Sequence, residues 1–361
     1  MSALLDNAKG DDFDDKEDAN SKTETMRIGV NPEKKKETQL VHKRHRIIMP
    51  FWIPNIEDDY FRNQPEVLRI CLQSLIDTID ASQTNITLIN NNSCSEASEV
   101  AEAFVAKGVI DKYVVRNENR GKLENVLAEA RASYEDYITV SDADFLFFDG
   151  WEKAISNIMN AFPQAGMVSC YPAAHLAYFY NSNIIWHSPK EGKIISDDDI
   201  NLFEKGHGHT VETGLYSRNG LKRKKCWCEA HYFFRRNNVI AIAGAVHALA
   251  TFRRNAVQNF DTRKVQFVFK NGYEEEYIDQ TIQKSGYLRL STPQLFAYHL
   301  GNTVPDDVVR HYMERKRQYG NNVSNSMLWK QESKNRVNAF YRTVFPATVI
   351  LFRALRKFRI I

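Results

Sequence analysis

The sequence predicts an α/β fold in which a mostly parallel, Rossmann-like sheet is flanked by helices and followed by a helical C-terminal extension. Between residues 46 and 140, short apolar runs typical of strands alternate with segments of helical period, which is the pattern of βαβ units. The chain has 361 residues, of which 43% are hydrophobic and 12% aromatic, enough for one large core. No apolar run approaches the roughly 20 residues that a membrane-spanning helix needs.

The predicted elements follow one another in a regular order. The run RIIMPFW over 46–52 is typical of a buried strand that ends at Pro50. Apolar residues at helical spacing predict a helix over 66–79, and Gly108 closes a second helix that begins at residue 96. The remaining predictions are strands over 85–89, 112–115 and 137–140 and a helix over 122–134.

Polar residues follow two of these strands at the point where each strand ends. The turn Asn90-Asn91-Asn92-Ser93 comes after the second strand, and Ser141-Asp142-Ala143-Asp144 comes after the fourth. Ligands of open parallel sheets bind beyond the carboxyl ends of the strands. The topology alone therefore predicts that these turns converge at one edge, together with the turn after Met49.

Asp142 and Asp144 form a carboxylate pair between two apolar runs, YITV before it and FLFF after it. In an extended segment, residues two apart point the same way, and two carboxylates on one side repel unless a cation or a proton relieves them. Mg²⁺ and Mn²⁺ prefer oxygen ligands and complete their shells with phosphate. The pair predicts a metal–diphosphate site, and the alternative is a solvated Asp-rich turn.

These motifs, in this order, resemble the nucleotide-sugar-dependent glycosyltransferases of the GT-A fold, family 2 type. That family has a first strand ending in proline, a D-N-x-S-like turn, an N-x-G helix start and a D-x-D motif. The resemblance covers about 46–172 and 240–301. It rests on Pro50, Asn90 to Ser93, Asn119-Arg120-Gly121, Asp142 to Asp144, the stretch AVHALATFRRN over 245–255, Glu274-Glu275-Glu276 and Tyr298-His299.

The resemblance implies a role for each matching residue. Asp142 would contact the donor's ribose or the metal, Asp144 would bind Mn²⁺ or Mg²⁺, and His299 would complete the metal shell or touch the diphosphate. Glu275 would be the general base of an inverting transfer, with Glu274 and Glu276 as close alternatives. The remaining residues expected at the nucleotide-diphosphate-sugar site are Pro50, Asn90, Asn91, Asn119 and Gly121.

Two departures from the family pattern leave choices open. The turn usually carries an aspartate that contacts the nucleobase, and here that position is Asn90, whose amide both donates and accepts. The donor is therefore expected to be a UDP- or GDP-sugar without a choice between them. The family's E-D pair is Glu274-Glu275 here, which leaves the identity of the base open among three neighbours.

The regions outside the resemblance are charged and polar. Residues 1–45 are expected to be disordered, 46–305 to form the catalytic domain with a mobile acceptor loop over 187–225, and 306–361 to form a basic helical extension. The stretch 310–361 holds twelve bases and two acids. From Val344 on, Leu351, Leu355 and Phe358 recur at helical spacing, which suits an anionic membrane surface or docking onto the domain.

The expected activity is transfer of a sugar to a hydroxyl of a surface polysaccharide or lipid-linked glycan, by a cytoplasmic protein that is peripheral on the inner membrane face. One alternative is a nucleotidyltransferase that makes the nucleotide sugar, but the turn FWIPN over 51–55 lacks the glycine-rich loop of such enzymes. The other is a non-catalytic glycan- or nucleotide-binding protein on the same scaffold. No nucleic-acid partner is expected, because the body lacks interleaved basic and aromatic residues.

Overall fold

The computed structural model describes residues 29–36, 39–40, 42–210, 229–319, 329–330 and 337–358. The chain divides into two units, 1–41 and 42–361. In the first unit, Asn31 caps a short 3-10 turn over Pro32–Lys35, where its Oδ1 accepts a hydrogen bond from the Glu33 amide (3.0 Å). The predicted disorder of 1–45 concerns mainly residues outside the described ones.

The second unit contains the sheet. Its strands are β1 (His45–Phe51), β2 (Thr84–Asn90), β3 (Lys112–Val115), β4 (Tyr137–Ser141), β5 (Phe145–Phe147), β6 (Ala165–Ser169), β7 (Lys190–Gly192), β8 (His231–Arg236), β9 (Val239–Ala243), β10 (Leu249–Arg253), β11 (Leu288–Ser291) and β12 (Ala297–His299). Its helices are α1 (Gln64–Thr78), α2 (Ser95–Ala106), α3 (Gly121–Ala132), α4 (Trp151–Ala161), α5 (Asp197–Gly206), α6 (Arg254–Val257), α7 (Gln280–Lys284), α8 (Asp306–Tyr319), α9 (Val337–Thr343) and α10 (Phe345–Lys357).

Within the described residues, ten strands form one sheet in the order β3-β2-β1-β4-β10-β6-β11-β9-β8-β7. The first four strands are parallel, β10 is antiparallel between β4 and β6, and β6 pairs with β11 in parallel. The strands β9, β8 and β7 then alternate in direction, with β8 parallel to β11. Seven of these ten strands therefore run in one direction, and the predicted α/β fold is confirmed. The strands β5 and β12 form a separate antiparallel pair.

Side chains alternate across β1, so the sheet has a core on each face. Ile47 and Met49 pack with α1, α2 and α4 on one face, whereas Ile48 packs with α3 and α6 on the other. All three side chains are fully buried. This double burial explains why the strands read as continuous apolar runs, as expected for a sheet with helices on both faces.

Strand β1 extends one residue past the proline at which the sequence predicted its end. Pro50 is in register with Ile89 of β2, but pairing with β4 stops at Ile48. A proline lacks an amide donor and is tolerated where the ladder on one side has ended.

The expected mobile loop over 187–225 is partly structured in the described residues, which include β7 and α5. Ser196 caps α5 by accepting a hydrogen bond from the Asp199 amide (3.1 Å). Residues 211–228, including Cys226 and Cys228, lie outside the described residues. No helix in the described part of the chain is long and apolar enough to cross a membrane.

Candidate active site

The two aspartates lie at the carboxyl end of β4, where backbone contacts from two other segments fix them. The Asp142 amide donates to the carbonyl of Ala248 just before β10 (2.8 Å), and the carbonyl of Asp144 accepts from the Leu300 amide (2.8 Å). The antiparallel pairing of β5 with β12 places His299 opposite Phe145. The fold therefore brings His299 beside Asp144, as the resemblance implied.

Asp144 and His299 form a polar pair. Nε2 of His299 lies 3.2 Å from Oδ2 of Asp144, while Nδ1 donates to the carbonyl of Gly206 (2.8 Å). Burial opposes a charge on His299, but the hydrogen bond and charge of Asp144 outweigh burial and raise the pKa of His299 to about 9. Oδ1 of Asp144 is buried and has no hydrogen-bond partner among the described residues. This orphaned oxygen needs a further partner.

Asp142 is joined to the glutamate cluster by Lys122. The Lys122 ammonium lies 2.5 Å from Oδ1 of Asp142 and 3.0 Å from Oε1 of Glu274. Lys122 is the second residue of α3, directly after the N-x-G motif. Burial, together with the charges of Glu274 and Asp144, raises the pKa of Asp142 to about 6 despite the opposing charge of Lys122.

His247 continues this network from Glu274 to Asp279. Its Nε2 lies 3.0 Å from Oε2 of Glu274, and its Nδ1 lies 2.9 Å from Oδ2 of Asp279. Asp279 in turn lies 3.2 Å from Nη2 of the fully buried Arg289. Burial opposes a charge on His247, but Asp279 and Glu274 outweigh burial and raise the pKa of His247 to about 9. The imidazole is therefore a cation shared by two carboxylates.

A π-helical turn explains how Glu274 and Asp279 reach the same imidazole. The turn covers Glu275–Asp279 and continues into α7. In an α-helix, neighbours on one face are three or four residues apart, whereas a π-helical turn joins residues five apart. Glu274 and Asp279 are five apart, so the wider turn puts both carboxylates on the face that meets His247.

The three candidate bases have different surroundings. Glu274 is held by Lys122 and His247, whose charges keep its pKa well below the usual range although burial alone would raise it. Glu276 points towards Arg263, with 2.9 Å between Oε1 and Nη2. No ion pair holds Glu275 within the described part of the chain, and burial is the main cause that raises its pKa. Of the three, Glu275 is the carboxylate best placed to accept a proton.

The residues of the Lys122 network line a cavity of about 320 Å³. Its polar wall consists of Lys122, Asp142, His247, Glu274 and Glu275, and its other wall is the segment 268–273. This segment packs so closely on the start of α3 that a Cβ at Gly121 would lie 2.5 Å from the Val268 carbonyl oxygen. The cavity opens at the carboxyl edge of the sheet, where the sequence predicted a ligand site.

The asparagines predicted at the donor site form an amide cluster at the same edge. Oδ1 of Asn91 accepts from the Arg120 amide (3.0 Å) and from Asn125 Nδ2 (2.9 Å), and Oδ1 of Asn119 accepts from the Gly121 amide (2.8 Å). Asn91 also donates to Asn119 (2.7 Å). These bonds tie the turn after β2 to the start of α3.

Asn90 is engaged in its own turn. Its Oδ1 accepts from the Ser93 amide (2.8 Å), its Nδ2 donates to Ser98 Oγ (2.9 Å), and only 3% of the residue is exposed. The side chain that replaces the family's base-contacting aspartate is thus used to shape the polar turn.

The described residues contain no group of three or more His, Cys, Asp or Glu side chains arranged to hold a metal. Asp144 and His299 would supply two ligands once the imidazole has lost its proton, and the orphaned oxygen of Asp144 fits a hard cation. Such a cation would need its remaining ligands from a bound molecule, and diphosphate oxygens are suitable.

Asp142, Glu274 and Glu275 thus line one cavity, and Asp144 lies beside His299. Glu276 instead contacts Arg263. The sequence patterns did not single out Lys122, His247, Asp279 or Arg289. The signal available for Lys122 was its place next to the N-x-G motif, and His247 lies within the 245–255 stretch that resembles the family.

Residues 60–222 match the family model described as glycosyl transferase family 2. The matched stretch contains Asn90, Asn119, Gly121, Asp142 and Asp144, and it ends before the three glutamates and His299. The predicted resemblance is thereby confirmed for this part of the chain. No curated protein matches the sequence.

Two solved structures resemble the chain at low identity. The mannosyltransferase PcManGT from Pyrobaculum calidifontis, in complex with GDP-Man and Mn²⁺, is 12% identical with a TM-score of 0.40 over 87% of this chain and 76% of that chain. TarS from S. aureus in complex with UDP-GlcNAc is 11% identical with a TM-score of 0.28 over 35% of this chain and 33% of that chain. Similarity at this level adds nothing to the family match.

Proposed function

We propose that this chain, a glycosyltransferase of the family 2 type, moves a sugar from a nucleoside-diphosphate donor to an acceptor hydroxyl, with Glu275 as the base. The observation that supports this most is the meeting of Asp142 with Glu274 and Glu275 at one cavity, bridged by Lys122. This arrangement puts the donor-side carboxylate Asp142 on one wall with Glu275, which forms no ion pair among the described residues, as a transfer between two bound substrates needs.

The donor is proposed to bind along the carboxyl edge of the sheet. The start of α3, held by Asn91 and Asn119, offers a helix N-terminus that favours anions such as diphosphate. Asp144 and His299 would hold a divalent cation on the diphosphate, and that ion would offset the charge on the leaving group. We expect a UDP- or GDP-sugar.

The proton transfer is assigned to Glu275. The acceptor oxygen attacks the anomeric carbon, the bond from that carbon to the diphosphate oxygen breaks, and the acceptor's proton passes to the Glu275 carboxylate. The raised pKa of Glu275 makes it a better proton acceptor than Glu274, whose pKa Lys122 and His247 hold down. A single displacement of this kind inverts the anomeric configuration.

The proposed acceptor is a surface polysaccharide or a lipid-linked glycan. This proposal rests on the charge of the basic C-terminal extension, whose stretch 310–361 carries ten more bases than acids. A surface of this charge favours an anionic environment such as a membrane.

Thermal shift with UDP-, GDP- and CMP-sugars, each with Mn²⁺ and with EDTA, tests the donor site, because a ligand that binds the native state raises its apparent stability. We expect a metal-dependent rise with one nucleotide and its loss in Asp144→Ala. The matched control is Asp59→Ala, since Asp59 is 91% exposed and pairs only at the surface.

Product analysis by chromatography separates binding from transfer. Glu275→Gln should keep the donor-induced shift and lose transfer. If no nucleotide sugar raises the melting temperature of the wild type, the proposed donor site is wrong. Binding with no transfer to water or to any glycan acceptor would favour a binding protein.

A further inference from the structure

The C-terminal helix α10 has two faces with different surroundings. One face docks on the catalytic unit, where Thr348 Oγ1 accepts a hydrogen bond from Trp186 Nε1 (2.9 Å) and Phe352 packs against Tyr178 with 5.7 Å between ring centroids. Thr348 and Phe352 are both buried. The docking fixes the rotation of the helix about its axis.

The other face leaves large apolar side chains exposed. Ile350 is 70% exposed, Leu351 42% and Phe358, the residue that ends the helix, 71%. With 100° between successive residues, these three fall within one arc of about 100°, opposite Thr348 and Phe352. Two exposed bases, Arg353 and Lys357, border this arc on one side. We call Ile350, Leu351, Arg353, Lys357 and Phe358 the outer face.

The outer face combines exposed apolar area with positive charge only. Helix α10 contains three bases and no acid. The sequence predicted an apolar face of Leu351, Leu355 and Phe358, but docking by Thr348 and Phe352 leaves Leu351 and Phe358 outward. A helix that served only to cap the domain would present polar residues on its outer side.

We propose that the outer face of α10 binds an anionic lipid surface, with Ile350, Leu351 and Phe358 entering the headgroup–acyl boundary and Arg353 and Lys357 contacting lipid phosphates. Charge complementarity selects this partner, because a basic helix with exposed large apolar residues lies in an anionic interface. The lipid surface deepens the proposed function by bringing the catalytic unit to lipid-borne acceptors, but binding itself requires no donor and no transfer.

Vesicle co-sedimentation of the full-length chain tests the proposal, with neutral phosphatidylcholine vesicles compared with vesicles containing phosphatidylglycerol. We expect binding to the anionic vesicles alone. Ile350→Ser/Leu351→Ser should lower the partition coefficient by about tenfold or more, and Arg353→Glu/Lys357→Glu should abolish the preference for anionic lipid. The matched controls are Val109→Ser/Val115→Ser and Lys107→Glu/Lys190→Glu, exposed residues elsewhere, which should bind like the wild type.

Each variant is also melted with and without donor, so that lipid binding and donor binding are scored separately. Equal binding to neutral and anionic vesicles overturns the proposal, as does wild-type binding by Ile350→Ser/Leu351→Ser. A change of oligomeric state in that variant, measured by analytical ultracentrifugation, would assign the outer face to a second copy instead. Lipid binding without a donor shift in any variant would refute the donor site and leave the lipid surface standing.

Discussion

The ammonium of Lys122 lies 2.5 Å from the carboxylate of Asp142, although the two residues belong to different elements. The same ammonium contacts Glu274, so that one cation stands between the carboxylate proposed for the donor side and the glutamates proposed for the acceptor side. A partly buried cation between two carboxylates offsets their repulsion, and its removal leaves two like charges close together.

Lys122→Met should therefore destabilise the protein by about 2 kcal/mol and slow transfer about tenfold or more. Chemical denaturation and a transfer assay measure the two effects. The matched control is Arg120→Met, two residues away, because Arg120 is 45% exposed, against 21% for Lys122, and pairs with glutamates at the surface. That control should leave stability close to that of the wild type. Equal effects of the two substitutions would show that the bridge has no special role.

The proposal that Glu275 is the base predicts how the three glutamate variants differ in kcat. Glu275→Gln should reduce kcat about a hundredfold or more with little change in the donor-induced thermal shift. Glu276→Gln should leave kcat near that of the wild type, because Glu276 points towards Arg263. Glu274→Gln should lower stability as well as rate, since it removes the anion between Lys122 and His247. A largest loss of kcat in Glu276→Gln would contradict the assignment.

The pH dependence of stability should report on His247. The pKa of His247 is raised to about 9 in the folded state from an ordinary value near 6.5, so its interactions stabilise fully below about pH 6.5 and are lost as the pH rises through about 9. His247→Gln should thus be less stable than the wild type by about 1–3 kcal/mol at pH 6, with the difference shrinking towards pH 10.

His187→Gln is the matched control for this titration. Burial lowers the pKa of His187 from its ordinary value of 6.5, so His187→Gln should gain stability relative to the wild type only as the pH falls to about 6, and the difference should be flat between about pH 7.5 and 10. Denaturation curves at four or five pH values between 6 and 10 decide the question. A difference for His247→Gln that does not change with pH would mean that its ion pairs with Glu274 and Asp279 do not stabilise the fold.

Local patterns were enough to predict the parallel half of the sheet. Apolar periodicity and glycine or proline signals predicted β1 to β4 and α1 to α3 within one or two residues at each end, because β1, β2 and β4 are buried on both faces and the helices have a regular apolar face. The placement of Asp142 and the asparagine turn at one edge followed from the parallel direction of the strands. The proximity of His299 to Asp144 was implied by the resemblance.

The ion-pair network could not be predicted, because it depends on contacts between segments far apart in sequence. Lys122 meets Glu274, and His247 meets both Glu274 and Asp279, only after the sheet has placed β10 beside β4. The π-helical turn that aligns Glu274 with Asp279 also has no clear local signal. The outward direction of Leu351 and Phe358 also depends on distant contacts, because Thr348 docks against Trp186 and Phe352 against Tyr178.

The contact between Gly121 and Val268 predicts the effect of adding one methyl group. Gly121 has a φ of +76°, and a Cβ there would meet the Val268 carbonyl oxygen at 2.5 Å, so Gly121→Ala combines backbone strain with a collision. Because the segment 268–273 forms one wall of the cavity, its displacement should weaken donor binding as well as stability. We expect a loss of about 3 kcal/mol.

Gly108→Ala separates the two causes. Gly108 has a nearly equal φ of +72°, but no atom lies within 4 Å of its added Cβ, so this variant bears the strain without the collision. It should lose about 1 kcal/mol and keep the full donor-induced shift. Denaturation and thermal shift of both variants measure the difference. If Gly121→Ala loses no more stability than Gly108→Ala and keeps its donor shift, the segment 268–273 does not depend on its contact with α3, and the cavity wall is set by other contacts.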